Sequence, residues 1–178
     1  ITEDPKWGDY LEWIKQDHPE HYETALAMCW PQPYVQGELA EEWKKAYANI
    51  IKPLEDASEL RRMYTSPLPA ELHQTAFITD RALDFIDRQE DPFFCFVSYV
   101  DPHDPYDPPA PYDTMFAAED MPEPTPASWQ EKGNPVLERS QSPWGFEQVK
   151  DNPAVTKKLR ALHHGEIRFL DDQIARIL

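Results

Sequence analysis

An apolar run that ends at a series of prolines constrains the fold of this chain more than any other feature. Residues 93–100, FFCFVSYV, are mostly aromatic, β-branched or small, and Asp-Pro pairs stand on both sides of them. So short an apolar run between turn residues is typical of a β-strand rather than of an amphipathic helix. No charged residue alternates with the apolar ones, so both faces are expected to be covered, as in a central strand of a parallel sheet.

The segment that follows, residues 101–109 (DPHDPYDPP), is predicted to be a stiff loop. Proline lacks an N–H group and fixes φ, so prolines at this spacing exclude both helix and strand. The loop would lie at the carboxyl end of the strand, where open α/β sheets bind their ligands. His103 lies within it, and a side chain on a stiff loop is already oriented to hold an anion. The alternative is a structural histidine held by a neighbouring carboxylate.

Composition and charge exclude several classes of function. The 178 residues carry a formal net charge of −16 and 19 prolines against five glycines, with no Gly-rich phosphate loop. So acidic a chain, with no Lys/Arg cluster, does not favour nucleic-acid binding. No apolar run approaches the roughly 18 residues that span a bilayer. Its two cysteines, Cys29 and Cys95, define neither a metal site nor a disulfide framework.

Apolar residues at helical spacing predict helices on either side of the strand. The strongest patterns cover residues 38–52, 72–88 and 153–177, with Asn152 as the N-cap of the last. Weaker patterns occur near residues 10–14 and 21–28. The predicted organisation is a helical, Trp/Tyr-rich surface part (1–66), a helix, strand and Pro-His loop (67–111), a loop excursion (112–150) and a final helix (151–178).

Three segments in this order resemble the type I sulfatases. Residues 93–109, FFCFVSYVDPHDPYDPP, are similar to the central segment of that family, in which an apolar strand precedes a Pro-His loop. Residues 68–82, LPAELHQTAFITDRA, are similar to the helix before it in sulfatases and in phosphonate monoester hydrolases. Residues 163–178, HHGEIRFLDDQIARIL, resemble the helix after it, with Ala175 at the position of a common glycine.

The resemblance implies an alkaline-phosphatase-like α/β fold and hydrolysis of sulfate esters by a formylglycine nucleophile beside a divalent cation, usually calcium. It assigns His103 as the catalytic and substrate-binding residue that contacts the sulfate, and it assigns no metal ligand to this chain. The Cys/Ser-x-Pro-x-Arg signature that yields formylglycine is not present. Residues 29–33, CWPQP, do not replace it, because Pro33 stands where the arginine belongs.

We therefore expect a partial alkaline-phosphatase-like fold: one central sheet strand with flanking helices and a long Pro-rich loop excursion. The chain opens without Met and ends within a helical pattern, which suggests an internal segment of a sulfatase that is inactive alone. Its nucleophile and metal would lie outside residues 1–178, and its partners would be a small-molecule sulfate ester and the remainder of the catalytic domain.

Two alternatives remain open. The first is a phosphonate or phosphate monoester hydrolase on the same scaffold. The second is a non-catalytic module that presents the PxxP spacings of residues 102–111 to a protein with an aromatic groove.

Overall fold

The computed structural model describes residues 8–29, 37–52, 63–123 and 152–178. Within these ranges the regular structure is helical. The α-helices are α1 (Asp9–Asp17), α2 (Tyr22–Met28), α3 (Glu38–Ile50), α4 (Gln74–Ile86) and α5 (Pro153–Ile177). Short 3-10 helices cover Pro19–His21, Ala70–Leu72, Tyr112–Thr114 and Ala118–Asp120. Each α-helix lies where the apolar spacing predicted one.

The two helices that matter most for the site begin at side-chain caps. The carboxamide oxygen of Asn152 accepts a hydrogen bond from the Val155 N–H at 3.3 Å, and Pro153 is the first residue of α5. The Nδ1 atom of His73 accepts one from the Thr75 N–H at the start of α4, also at 3.3 Å. Such caps satisfy backbone donors that the first helical turn leaves free. The predicted Asn152 cap is confirmed, whereas the sequence did not identify the His73 cap.

The largest apolar cluster of the described residues joins α1 and α2 to the start of α4. Tyr10, Leu11, Ile14 and Leu26 are buried in it, together with Phe77. The Tyr10 hydroxyl also donates a hydrogen bond to the Leu72 carbonyl at 2.8 Å. The first part of the chain therefore supplies core packing as well as the surface predicted for it.

Residues 93–100 are neither helical nor paired in a β-ladder with any described residue. Their exposure alternates: Cys95, Val97 and Tyr99 are half-buried, while Phe94 and Phe96 are 87% and 80% exposed. A period of two is that of an extended chain, consistent with the predicted strand conformation. The Tyr99 hydroxyl lies 2.8 Å from Thr79 Oγ1 of α4. Among the described elements, α4 packs against the face that carries Tyr99. The expectation that both faces are covered stays a prediction for the complete fold.

The Pro-rich loop after this segment is held by residues 63–66. Isolated parallel bridges join Met63 to Tyr106 and Ser66 to Pro109. The Tyr64 N–H donates to the Tyr106 carbonyl and the Ser66 N–H to the Pro108 carbonyl, each at 3.3 Å. Because prolines accept hydrogen bonds but cannot donate them, the neighbouring segment supplies the donors. The Asp101-Pro102, Asp104-Pro105 and Ala110-Pro111 peptide bonds are cis.

Helix α5 packs across this loop and against α4. Its buried face contains Val155, Leu162, Gly165, Glu166, Phe169 and Gln173. Apolar spacing alone would also bring Ile167 and Ile174 to the buried face, but both isoleucines are exposed. The face is rotated because the loop packs against Gly165 and Glu166. Of the excursion predicted for residues 112–150, the part from 124 onward lies outside the described residues. None of the described helices combines the length and apolar character needed to cross a bilayer.

Candidate functional site

The candidate site is the loop that carries His103. The imidazole is 58% exposed, and its Nδ1 atom lies 2.7 Å from the Asp104 carbonyl oxygen and 3.2 Å from Asp104 Oδ1. Both neighbours are hydrogen-bond acceptors, so Nδ1 carries the proton. The other nitrogen, Nε2, is then the atom left for a ligand. Nε2 is a hydrogen-bond acceptor in this neutral tautomer and a donor in an imidazolium.

The N-terminal end of the loop is attached to α4 through Asp101. The Thr75 hydroxyl donates a short hydrogen bond to Asp101 Oδ2, and the same oxygen lies 3.8 Å from His73 Nδ1. His73 is buried, with its ring edge-on to Phe169 of α5. Burial lowers the pKa of His73, although the Asp101 carboxylate opposes that shift. The neutral ring therefore caps α4, and Thr75 supplies the hydrogen bond that holds Asp101.

The C-terminal half of the loop is attached to α5 through Asp107. Its backbone N–H donates to Glu166 Oε1 at 2.7 Å, and its side chain is hydrogen-bonded to the Tyr64 hydroxyl. Glu166 is 1% exposed, and its second oxygen, Oε2, has no hydrogen-bond partner among the described residues. An unpaired buried polar atom lowers the free energy of unfolding by about 1–3 kcal/mol, so the Glu166 carboxyl destabilises the fold unless its other contact compensates.

Burial also changes the ionisation of these carboxyls. Desolvation, reinforced by the nearby Asp101 carboxylate, raises the pKa of Asp107 to about 8. Desolvation and the proximity of Asp107 raise the pKa of Glu166 to about 10. Both groups are therefore mainly protonated at neutral pH, and the charge of the site comes from other residues. Burial, followed by the proximity of Asp107, raises the pKa of Tyr64 as well, so its hydroxyl keeps its proton.

A cavity of about 30 Å³ opens between the loop, α2 and the start of α4. His73, Asp101, His103 and Asp107 line one side, and Cys29 and Met28 line the other. This volume suits one or two water-sized groups, not an organic ester. Sequence reasoning had placed Cys29 outside any site, and it is a buried cysteine that lines this cavity.

Two adjacent histidines of α5, His163 and His164, and the carboxylate of Asp172 contact aromatic residues of the loop and of the segment after it. The His163 ring lies 5.4 Å from Tyr106, and the His164 ring 5.6 Å from Phe116. Burial, with a smaller contribution from His164, lowers the pKa of His163. Asp172 accepts a hydrogen bond from the Tyr112 hydroxyl at 3.0 Å and pairs with Arg168. These residues attach the loop and the following 3-10 turns to the helix, and they do not converge on His103.

Sequence reasoning proposed His103 as the site residue and did not identify the residues that support its loop: Tyr64, His73, Thr75 and Glu166. His73 stood within a quoted motif but had no assigned role, and Glu166 was taken as a position of the helical stripe. No three His, Cys, Asp or Glu side chains of the described segments are arranged to hold a metal ion. The described residues thus do not fit the family's cation by themselves.

Comparison with known proteins identifies the family to which this loop and its flanking helices belong. The sulfatase family model matches residues 15–178, nearly the whole chain. The chain is therefore a member of the sulfatase family, and the family's domain implies an alkaline-phosphatase-like α/β fold.

Two curated relatives match shorter stretches. An arylsulfatase of Clostridium perfringens (strain 13 / Type A) is 34% identical over 111 residues, which cover 60% of this chain and 22% of the relative. The multifunctional alkaline phosphatase superfamily protein PehA of Trinickia caryophylli is 40% identical over 130 residues, or 63% of this chain and 24% of the relative. The matched stretches thus span about a quarter of either relative.

Proposed function

We propose that this chain forms part of a sulfuric ester hydrolase and that His103 contacts the sulfate group of its substrate. The observation that carries the proposal is the orientation of the His103 ring. Asp104 occupies Nδ1, whereas Nε2 belongs to an exposed ring on a loop attached at both ends. An imidazolium held in this way donates a hydrogen bond to a sulfate oxygen and stabilises the charge that develops there during ester cleavage.

The remaining catalytic groups are proposed to come from outside residues 1–178. They are a formylglycine nucleophile and a divalent cation, calcium by the family's usual preference, which would supply the attacking oxygen and polarise the ester. The match to only 22% of an arylsulfatase supports this division. In the complete fold, residues 67–111 would provide a helix, a sheet strand and the Pro-His loop, residues 112–150 a surface excursion and residues 151–178 the helix that supports the loop.

A phosphonate or phosphate monoester hydrolase is the second candidate. This candidate is supported by the 40% identity over 130 residues to PehA, whose name places it in the alkaline phosphatase superfamily. His103 does not separate the two, since sulfate and phosphonate esters present similar oxygens to an imidazolium.

A non-catalytic Pro-rich binding module fits the described residues less well. Pro108 and Pro109 are almost completely buried between residues 63–66 and α5. A polyproline ligand must expose its prolines to an aromatic groove. The loop is therefore proposed to act inside its own protein rather than as a ligand for another one.

A panel of chromogenic esters tests the proposal. The complete protein that contains this chain would be assayed with matched nitrophenyl sulfate, phenylphosphonate and phosphate esters, and kcat/KM compared. We expect the highest value for the sulfate ester. A higher value for the phosphonate or phosphate ester would select the second candidate, and no hydrolysis of any ester would reject both.

A further inference from the structure

The His103 loop has very few backbone donors with which it can be held in place. Three of the five residues from 105 to 109 are prolines, so only Tyr106 and Asp107 have an N–H group. Asp107 donates its N–H to a side chain, Glu166 Oε1, across 59 positions of sequence at 2.7 Å. The hydrogen bonds from residues 64 and 66 hold the opposite edge of the loop through its carbonyls.

Glu166 makes this contact from a position that does not otherwise suit a carboxyl. It is 1% exposed on the buried face of α5, and Oε2 has no partner among the described residues. The adjoining Gly165 packs so closely that an added Cβ would lie 2.4 Å from the Tyr112 carbonyl oxygen. The helix and the loop are thus in direct contact at this point, and Glu166 is the polar group that joins them.

Glu166 is buried with one carboxyl oxygen unpaired among the described residues, and its other oxygen accepts from the Asp107 N–H. We take this combination to indicate that Glu166 holds the loop in position. We propose that Glu166 is a positioning residue: its carboxyl oxygen binds the Asp107 N–H, fixes the Pro-rich loop on α5 and thereby sets the location of His103. The proposal rests on the proposed function for its catalytic consequence, while the hydrogen bond itself is independent of that function. Glu166 does not touch the substrate in this role.

Two substitutions of Glu166 separate its hydrogen bond to the loop from its contribution to packing. Glu166→Gln keeps an oxygen acceptor for the Asp107 N–H, whereas Glu166→Met has a similar shape and no such acceptor. Gln173→Leu is the matched control, because Gln173 is also a buried polar residue of α5 but hydrogen-bonds to Arg176, away from the loop. Each variant of the complete protein would be examined by amide hydrogen exchange at Asp107, by thermal unfolding and by steady-state kinetics.

We expect the Asp107 amide to be protected in the wild-type protein and in the Gln variant, and to exchange faster in the Met variant without a matching fall in Tm. Misplacement of His103 by about 1 Å should lower kcat by roughly 10²-fold with little change in KM. Gln173→Leu should change neither Asp107 exchange nor kcat. Retention of turnover by the Gln variant would show that the oxygen acceptor, not the acidity, is required.

The inference and the proposed function fail in distinguishable ways. If the wild-type protein hydrolyses no sulfate ester, the proposed function is rejected, and Asp107 exchange still decides whether Glu166 holds the loop. Fast Asp107 exchange in the folded wild-type protein, or unchanged exchange and turnover in the Met variant, would overturn the inference. If the Met variant does not fold, Asp107 exchange in the wild-type protein and the kinetics of the Gln variant test the role of Glu166. Loss of turnover by a folded Gln variant would also overturn the inference.

Discussion

Polar side chains serve two different purposes in the His103 loop. The His103 ring is exposed, so a ligand can reach it, whereas the Asp104 side chain that holds Nδ1 is only 16% exposed. Tyr64, Thr75 and Glu166 hold the loop from other segments. The Thr75 hydroxyl donates to Asp101, the Tyr64 hydroxyl is hydrogen-bonded to the Asp107 side chain, and Glu166 accepts from the Asp107 N–H. Buried hydrogen bonds of this kind keep the loop in one conformation, which is what a preorganised catalytic group needs.

Replacing His103 with alanine should lower turnover and leave stability nearly unchanged. Removal of one preorganised donor typically costs ~10²–10³ in rate. A substitution on an exposed loop usually changes the free energy of unfolding by no more than about 0.5 kcal/mol. Measurement of kcat/KM and Tm on the complete protein checks both expectations.

The control for this variant is His21→Ala, because His21 lies in the 3-10 turn before α2, outside the cavity. His163 is less suitable, since its ring packs on Tyr106 of the same loop. A structural histidine would give the reverse pattern: a lower Tm for His103→Ala with turnover per folded molecule intact.

The raised pKa values of Asp107 and Glu166 predict a pH dependence of stability. In the unfolded chain these groups have ordinary pKa values of 3.8 and 4.5, whereas in the fold they titrate near 8 and 10. Between those limits the folded state binds more protons than the unfolded state, so the free energy of unfolding falls as the pH rises. The contribution is complete below about pH 4 and is lost as the pH rises through 8 and then 10.

Urea unfolding at a series of pH values would measure this slope. Glu166→Gln cannot ionise, so it should flatten the decline, most clearly above the Asp107 pKa of about 8. The same decline in the wild-type protein and the Gln variant would show that Glu166 is not the group responsible.

At the scale of elements, the local sequence predicted the helices but did not predict the contacts between them. Apolar spacing and the Asn152-Pro153 start are local signals, and α4 and α5 agree with them. The contact between Glu166 and Asp107 joins residues 59 positions apart. Helical spacing brings Glu166 to the apolar stripe of α5, but spacing within one helix does not show which residue of another segment its carboxyl contacts. The sequence therefore located the loop and its histidine but not their supports.

The contact between α5 and the loop is close enough to require glycine at position 165. A Cβ there would lie 2.4 Å from the Tyr112 carbonyl oxygen and 3.2 Å from Pro108 Cγ. Alanine improves helix propensity by about 1 kcal/mol, but overpacking typically costs about 1–3 kcal/mol. Gly165→Ala should therefore destabilise the protein, as measured by urea unfolding.

Ala175→Gly provides the control for that variant, because Ala175 is an exposed residue of the same helix. It should cost up to about 1 kcal/mol through helix propensity alone. A more stable Gly165→Ala protein would mean that the helix and the loop are further apart than described.

At the scale of the whole molecule, the uncovered face of residues 93–100 is the main departure from the predicted α/β fold. A strand needs a neighbour to satisfy its backbone groups, and those neighbours cannot be deduced from a segment that spans about a quarter of its relatives. The apolar composition predicted a strand with both faces covered, but it carried no information about the partner strands. Phe94 and Phe96 point out of the plane in which such strands would pair, so a further layer of the complete fold would cover them.

Serine at positions 94 and 96 should have little effect on the stability of the 178-residue chain, because both phenylalanines are already exposed. In the complete protein each substitution should cost about 3–5 kcal/mol, the usual loss for a buried aromatic ring. Phe169→Ala, at a residue that is 1% exposed here, should destabilise both proteins. Equal effects of the serine variants in the two proteins would exclude a layer that covers this face.

We propose that this chain supplies the His103 loop to a sulfatase whose nucleophile and metal lie outside residues 1–178. Hydrolysis of nitrophenyl sulfate, measured in parallel for the 178-residue chain and for the complete protein, tests it most directly. We predict turnover by the complete protein, abolished by a metal chelator, and none by the chain above a blank without enzyme. Turnover by the chain alone, or no turnover by the complete protein, would contradict the claim.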